Sequence, residues 1–346
     1  MYSEADLQSA VAAGAVSHEA ANALRTHAAG MRSAPVADEE HFRLISGFND
    51  IFVSIAAVLL LTACAGIGDA IAPGVAGLLV AGAAWGMAEF FTRQRRMALP
   101  SIVLLLGFVG GVAGIPINIL AESDPDMSER AGVLIFSGIA LGAAIAAWIH
   151  WRRFMVPITV AAGAAAVCGT VIALILAAIS PIRTMDDPER VLLPLVFVAG
   201  LAVFAVAMRW DMSDRARENR RSDVAFWLHL LAAPMIAHPL FHWLGVTEGE
   251  NIGASAALGV LAVYVLMGLV ALAVDRRALL VSALAYVLIA MTWLFREFGM
   301  VELNVAITGL VIGSALLSLS AFWSPIRSKI VGQLSQTLRE RLPATA

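Results

Sequence analysis

The chain has 346 residues, of which 60% are hydrophobic and only 14% charged, with a formal net charge of −3. Its mean hydropathy is +0.83, whereas water-soluble domains use about 45–50% apolar and about 25% charged residues. A soluble domain is excluded, and without a basic surface nucleic acid is excluded as a partner. The remaining class is all-α: a polytopic integral membrane bundle whose first partner is the lipid bilayer.

Residues 1–47 read as a small cytoplasmic helical segment. Ser3 is placed to cap a first helix with Asp6 three residues on, Gly14 breaks it, and Ser17 is placed to cap a second helix running to about Gly30. Leu7, Val11, Val16 and Leu24 are too few for a core of their own, so this pair is expected to lean on a partner, on a second copy in a homo-oligomer, or on the membrane surface. The first apolar run follows more than forty polar-rich residues, including Asp38, Glu39 and Glu40, which argues against a secretory signal peptide.

Ten apolar segments of spanning length, about 17–25 residues each, then make up a transmembrane domain over 48–323. They run near 48–68, 70–91, 98–121, 132–150, 154–180, 191–208, 223–246, 252–274, 278–295 and 301–323. Arginines set the orientation. The connections after the second, fourth, sixth and eighth segments hold twelve (Arg93, Arg95 and Arg96; Arg152 and Arg153; Arg209, Arg215, Arg217, Arg220 and Arg221; Arg276 and Arg277), against four in the alternate connections. Positive charge marks the inner side, so both termini are expected inside.

Residues 324–346 form a cytoplasmic tail. Ile326, Ile330, Leu334, Leu338 and Leu342 recur at intervals of four with Arg327, Lys329, Arg339 and Arg341 around them, an amphipathic helix suited either to anionic lipid headgroups or to the inner loops. Arginine pairs at 95, 152, 220 and 276 each precede a new segment, consistent with repeated helical hairpins or simply with the charge rule. The spacings Gly107/Gly111, Gly110/Gly114, Gly138/Gly142 and Gly309/Gly313 fit close helix contact.

The seventh segment, DVAFWLHLLAAPMIAHPLFHWLGV from Asp223 to Val246, carries His229, His238, His242, Pro234 and Pro239. Polar groups inside a membrane are costly and are candidates for function by default. At about 1.5 Å per residue His229 lies roughly 9 Å from the inner end, while His238 and His242 share an outer-half face one turn apart. As neutral imidazoles near physiological pH they are fitted to relay protons or to bind a ligand; the alternative is that each ring bonds to a neighbouring carbonyl. Asn118 and Glu122, beyond Pro116 at the outer end of the third segment, are the best additional candidates for an outer polar vestibule, followed by Trp293, Arg296, Glu297, Glu302 and Asn304. Glu89 and Arg93 form a helical i,i+4 pair. Trp227, Trp243, Trp293 and Trp323 read as interfacial anchors.

Two histidines four residues apart are half a metal-ligand set, and no second pair completes it. No phosphate loop or nucleophile motif is present, so neither a metal nor an organic cofactor is expected. Cys64 and Cys168, both in apolar segments, read as small hydrophobes rather than a disulfide.

The stretch DLQSAVAAGAVSHEAANAL, a helix, a glycine break and an alanine-rich second helix ahead of many spans, resembles the opening of the DUF2157 family of bacterial predicted membrane proteins; FWLHLLAAPMIAHPLF resembles proteobacterial inner-membrane proteins. The resemblance implies a multi-pass helical fold and an inner-membrane address, and it transfers no functional residues. The functional expectation is transporter-like, with an outward-opening polar cavity for a small solute or protons; the alternative is a scaffold or sensor recruiting partners through its termini.

Overall fold

A computed structural model describes residues 4–24, 48–123, 126–179, 189–215, 217, 219–246, 254–297, 304–339 and 342–343. Among them every regular element is helical. Residues 1–43 constitute a unit of their own. In it α1 (Glu4–Ala12) ends before Gly14, whose φ of 70° is the left-handed conformation that stops a helix. The Ser17 hydroxyl accepts the Ala20 N–H at 3.1 Å and caps α2, residues 18–24, as its position suggested. Ser3 and residues 25–47 lie outside the described residues.

The second unit contains α3 (Phe48–Asp69), α4 (Val75–Ala88) with a π-helical turn at Glu89–Gln94, α5 (Ala98–Ser123), α6 (Glu129–Phe154), α7 (Ile158–Ile179) and α8 (Glu189–Met212). It continues with α9 (Arg220–Trp243), α10 (Ala254–Val274), α11 (Ala278–Glu297), α12 (Asn304–Ala321), α13 (Trp323–Gln333) and α14 (Gln336–Arg339). Each of the ten expected segments overlaps a helix, but among the described residues eight are long and apolar enough to cross a membrane by themselves: α3, α4 continued by its π-helical turn, and α5 to α10. The apolar core of α11 is the shorter Leu279–Thr292, and α12 qualifies only together with α13, from which it is bent by 74°. The chain is a multi-pass helical membrane protein. Phe52, Ile55 and Leu59 on one side of α3 are exposed, as a lipid-facing stripe must be.

The most extensively packed neighbours are α4 with α5, α6 with α7, and α8 with α9, followed by α3 with α4 and α10 with α11; four of these five pairs are joined at the arginine-rich end. All four arginine-rich turns contain a non-glycine residue at positive φ: Arg96, Met155, Arg217 and Asp275. This is a left-handed helix stop that ordinarily selects glycine.

Of the four glycine spacings, one lies in a tight contact. A Cβ on Gly111 would stand 2.7 Å from the Ala81 nitrogen, and one on Gly77 would stand 2.6 Å from the Gly111 oxygen, so α4 and α5 meet backbone to backbone. Gly107 faces Leu61 of α3 at 2.8 Å, whereas Gly110, Gly138, Gly142, Gly309 and Gly313 meet nothing within 4 Å. Both cysteines are free.

The tail helix departs from the expected arrangement in one residue above all. Ile326 and Ile330 pack on the core shared by α9 to α12, and Val331 and Leu342 meet Val274 of α10. Arg327, expected on the polar face, is 2% exposed, and Trp323, expected as an interfacial anchor, is 5% exposed. Both are drawn inward by a carboxylate described below.

Gly111→Val is expected to push α4 from α5 and cost about 1–3 kcal/mol as overpacking, whereas Gly138→Val is expected to be silent. Denaturation of the purified variants in detergent checks this, and equal loss from both would remove the close-contact assignment.

Candidate functional site

The most buried span is α9: half of its apolar window is buried, against 17–39% for the other seven candidate spans. It packs on α7, α8 and α11. Its burial against three helices brings its three histidines to partners on other elements. His238 and His242, one turn apart, diverge. The His238 Nδ1 shares a 2.8 Å hydrogen bond with the Tyr286 hydroxyl of α11, and Tyr286 stacks on Phe241 with ring centroids 4.6 Å apart. The His242 Nε2 instead lies 3.3 Å from Glu189 Oε2 at the start of α8.

Asn118 is half-buried and Glu122 exposed on α5, whose main partners are α3, α4 and α6. No described bond joins them to the histidines of α9. The Glu302 position and the side chains of Trp293, Arg296, Glu297 and Asn304 lie outside the described residues.

His229 is the histidine that enters a site. It is fully buried, with its Nε2 2.9 Å from Oδ2 of Asp211, which is 1% exposed at the end of α8. Arg276, from the turn between α10 and α11, donates through Nη2 to Asp211 Oδ1 at 2.6 Å and to the Ser222 carbonyl at 3.0 Å. With Asp211 ionised against Arg276, a neutral His229 carries its proton on Nε2 and donates it to the carboxylate. Its Nδ1 then remains a buried lone pair without a hydrogen-bond partner. The Phe204 ring stands edge-on to the imidazole at 5.1 Å.

Asp275, the preceding residue, holds a second set. Its carboxylate accepts from Arg217 Nη1 at 2.7 Å and from the Trp323 indole N–H at 2.7 Å, with Arg327 Nε at 3.5 Å. Arg217 also donates to the Asp275 and Val274 carbonyls at 3.0 and 3.3 Å. Arg327 reaches the Pro343 carbonyl at 2.8 Å, and Arg215 donates to the carbonyls of Leu342 and Arg339. Burial, and after it the Arg276 charge, pulls the Arg217 guanidinium below its ordinary value; the Asp275 and Asp211 carboxylates pull the other way.

The two sets form one buried cluster at the arginine-rich end: carboxylates from α8 and the α10–α11 turn, guanidinium groups from two turns and α13, an imidazole from α9 and an indole from α13. At the turn between α4 and α5 the corresponding pair is more open. Glu89, in the π-helical turn, takes the expected bond from Arg93 at 3.2 Å and a two-pronged grip from Arg153 of α6 at 2.7 and 2.9 Å. Nearby His150 is buried among Trp85, Phe108 and Phe154, with its Nδ1 3.3 Å from Thr159 Oγ1.

Asp211, Asp275, Arg276, Arg327 and Trp323 are not singled out as site residues by span reading. Their signal in the sequence is the placement of aspartates among arginines, in RWDM and VDRR. A carboxylate beside several arginines at the edge of a span has the composition of an ion pair that can fold inward.

Arg276→Met leaves Asp211 buried with only His229, and is expected to lower stability by about 3–5 kcal/mol. Asp211→Leu combined with Arg276→Met is expected to recover more than half of that loss. Unfolding of the single and double variants in detergent measures the coupling, and simple additivity of the two single losses would show that no such pair exists.

Comparison with family models, with curated proteins and with solved structures finds no match for this chain.

Proposed function

We propose that the protein is a transporter-like carrier of the bacterial inner membrane. It crosses the bilayer ten times with both termini inside, and it moves a small solute or protons by way of α9. The observation that carries this reading is that the most buried span bears three histidines, each meeting an ionisable side chain of another helix. Ionisable groups kept inside a membrane bundle are the usual material of proton relays and substrate paths. The arginine asymmetry supports the orientation, and the resemblance to DUF2157 proteins supports the inner-membrane address.

In this reading His238 with Tyr286 and His242 with Glu189 are the outer proton-sensitive groups, and Asp211 with His229 is the inner one. Asn118 and Glu122 contribute from the outer end of α5, which packs on α3, α4 and α6, and stand apart from the histidine pair. A neutral imidazole whose second nitrogen is unengaged can accept a proton without first losing a hydrogen bond, which suits His229 to transient protonation.

The test is reconstitution into vesicles loaded with a pH-sensitive dye. The wild-type protein is expected to dissipate an imposed pH gradient faster than empty vesicles do, alone or with one of a panel of small solutes. His229→Gln, and His238→Ala with His242→Ala, are expected to slow it by at least about tenfold. Vesicles as tight as the empty controls throughout the panel would overturn the carrier reading.

One observation favours the second reading, a scaffold or sensor: residues 1–43 constitute a separate unit. Deletion of residues 1–40 is then expected to abolish co-purification of a specific partner while leaving the membrane bundle intact. An unchanged set of co-purifying proteins would count against it.

A further inference from the structure

The Asp275 and Arg276 side chains belong to consecutive residues and face different clients. Asp275 is engaged from the tail side by the Trp323 indole N–H at 2.7 Å and Arg327 at 3.5 Å. Arg276 is engaged from the span side by Asp211 at 2.6 Å and the Ser222 carbonyl at 3.0 Å. The link between them is short and stiff. Asp275 has φ 61°, and the Arg276 N–H closes the end of α10 on the Ala271 carbonyl at 2.9 Å, the arrangement in which glycine is ordinarily found. An aspartate held there bears backbone strain. What it provides in return is a carboxylate that the tail can grip.

The grip has a lever behind it. The chain turns by 74° between α12 and α13. From there α13 lies on α10, Val331 and Leu342 close on Val274, and Arg215, from the α8–α9 turn, holds the carbonyls of Arg339 and Leu342. The Arg277 guanidinium lies over the Trp323 ring at 5.0 Å, so three successive residues, 275 to 277, are engaged by the tail or by Asp211. None of these tail contacts requires lipid. The same segment carries exposed Lys329 and Arg339, which gives it an affinity for an anionic surface when it is released.

We propose that the segment from Trp323 to Pro343 is an intramolecular latch whose catch is the Asp275 carboxylate, and that by clamping the 275–277 turn it holds Arg276 on Asp211 and so controls the Asp211–His229 pair. Asp275 and Trp323 are positioning residues: the bonds described for them go to Arg217, Arg327 and each other, and they act on Asp211 through Arg276. With the latch closed, Arg276 neutralises Asp211 and the pair is locked. With the latch open, Arg276 is free to leave Asp211, and the carboxylate keeps the His229 N–H as its hydrogen-bond donor. The control of a carrier through this pair rests on the function proposed above; the latch itself does not.

The experiment is hydrogen–deuterium exchange on the full-length protein in nanodiscs, comparing wild type with Trp323→Phe, Asp275→Asn and Asp275→Gly. Trp323→Phe keeps an aromatic ring for Arg277 to cover and removes the N–H together with part of the indole's volume. Asp275→Gly suits the turn's backbone and removes only the side chain, so a loss of protection there reports the carboxylate rather than a broken turn. Each variant is expected to raise exchange in α13 and, in the same sample, at the inner ends of α8 and α9 around residues 209–213 and 220–229. The expected increase is about tenfold, the size of one lost charge-assisted hydrogen bond. Faster exchange confined to α13 would make the tail a passive cover and overturn the proposal. Unchanged exchange in all three variants would overturn it as well.

Proton flux by the same variants separates the two ideas. If wild type conducts, an open latch is expected to change its rate at least about threefold, a modest shift in the population of an open state. If wild type is tight, the carrier reading falls, and the exchange data alone decide the latch.

Discussion

Two carboxylates withdrawn from water govern the arginine-rich end of this protein. An ion moved from water into protein costs several kcal/mol even after relaxation, and the cost is met only when opposite charges and hydrogen bonds surround it. Asp211 and Asp275 are both more than nine-tenths buried, and each is surrounded. The donors come from the turns flanking α9 and α11, from α9 itself and from α13, so the elements that close this end of the bundle do so on charge. Bilayer hydrophobicity cannot do that work, because lipid tails are as apolar as the helices and do not drive them together. The peptide bond between Asp275 and Arg276 makes the two ion sets a single mechanical unit.

Much of the fold was legible because hydropathy is local and additive. About twenty apolar residues in a row state their own span, whatever the rest of the chain does, and Ser17 and Gly14 mark helix boundaries through bonds that reach only three or four residues. The cluster was illegible for the opposite reason. Its bonds join positions 18, 48, 58 and 65 residues apart. The rule that reads arginines as markers of the inner side counts Arg217 and Arg276 with the exposed ones, the reading of the tail puts Arg327 on a polar face, and neither asks which of them fold inward. Trp323 misleads in the same way, since a tryptophan at a span end is ordinarily an interfacial anchor.

The histidines of α9 show where helical periodicity stops being informative. Its prediction that His229 faces away from His238 agrees with their partners, Asp211 on α8 and Tyr286 on α11. For His238 and His242 it predicts a common face, because four residues advance a helix by little more than one turn. Yet α8 and α11 both flank α9, and a small angular step suffices to give one histidine to each. Whether two residues on one face form one site depends on where neighbouring helices meet, which no single segment encodes.

The four arginine-rich turns make the same point through backbone strain. All four hold a non-glycine residue in the left-handed region, at φ 53° to 61°. Arg96 and Met155, in the first two turns, are exposed, and the ion pairs beside them at Glu89 are half open to solvent. Arg217 and Asp275, in the other two, are bonded to each other at 2.7 Å and buried. A left-handed arginine and a left-handed aspartate each cost about 1 kcal/mol or more relative to glycine, but glycine offers no charge to share across two turns. Strain alone therefore does not distinguish a site from a turn. What distinguishes the last two turns is that their strained residues satisfy one another, and that the chain's own C-terminal segment folds back to the same carboxylate.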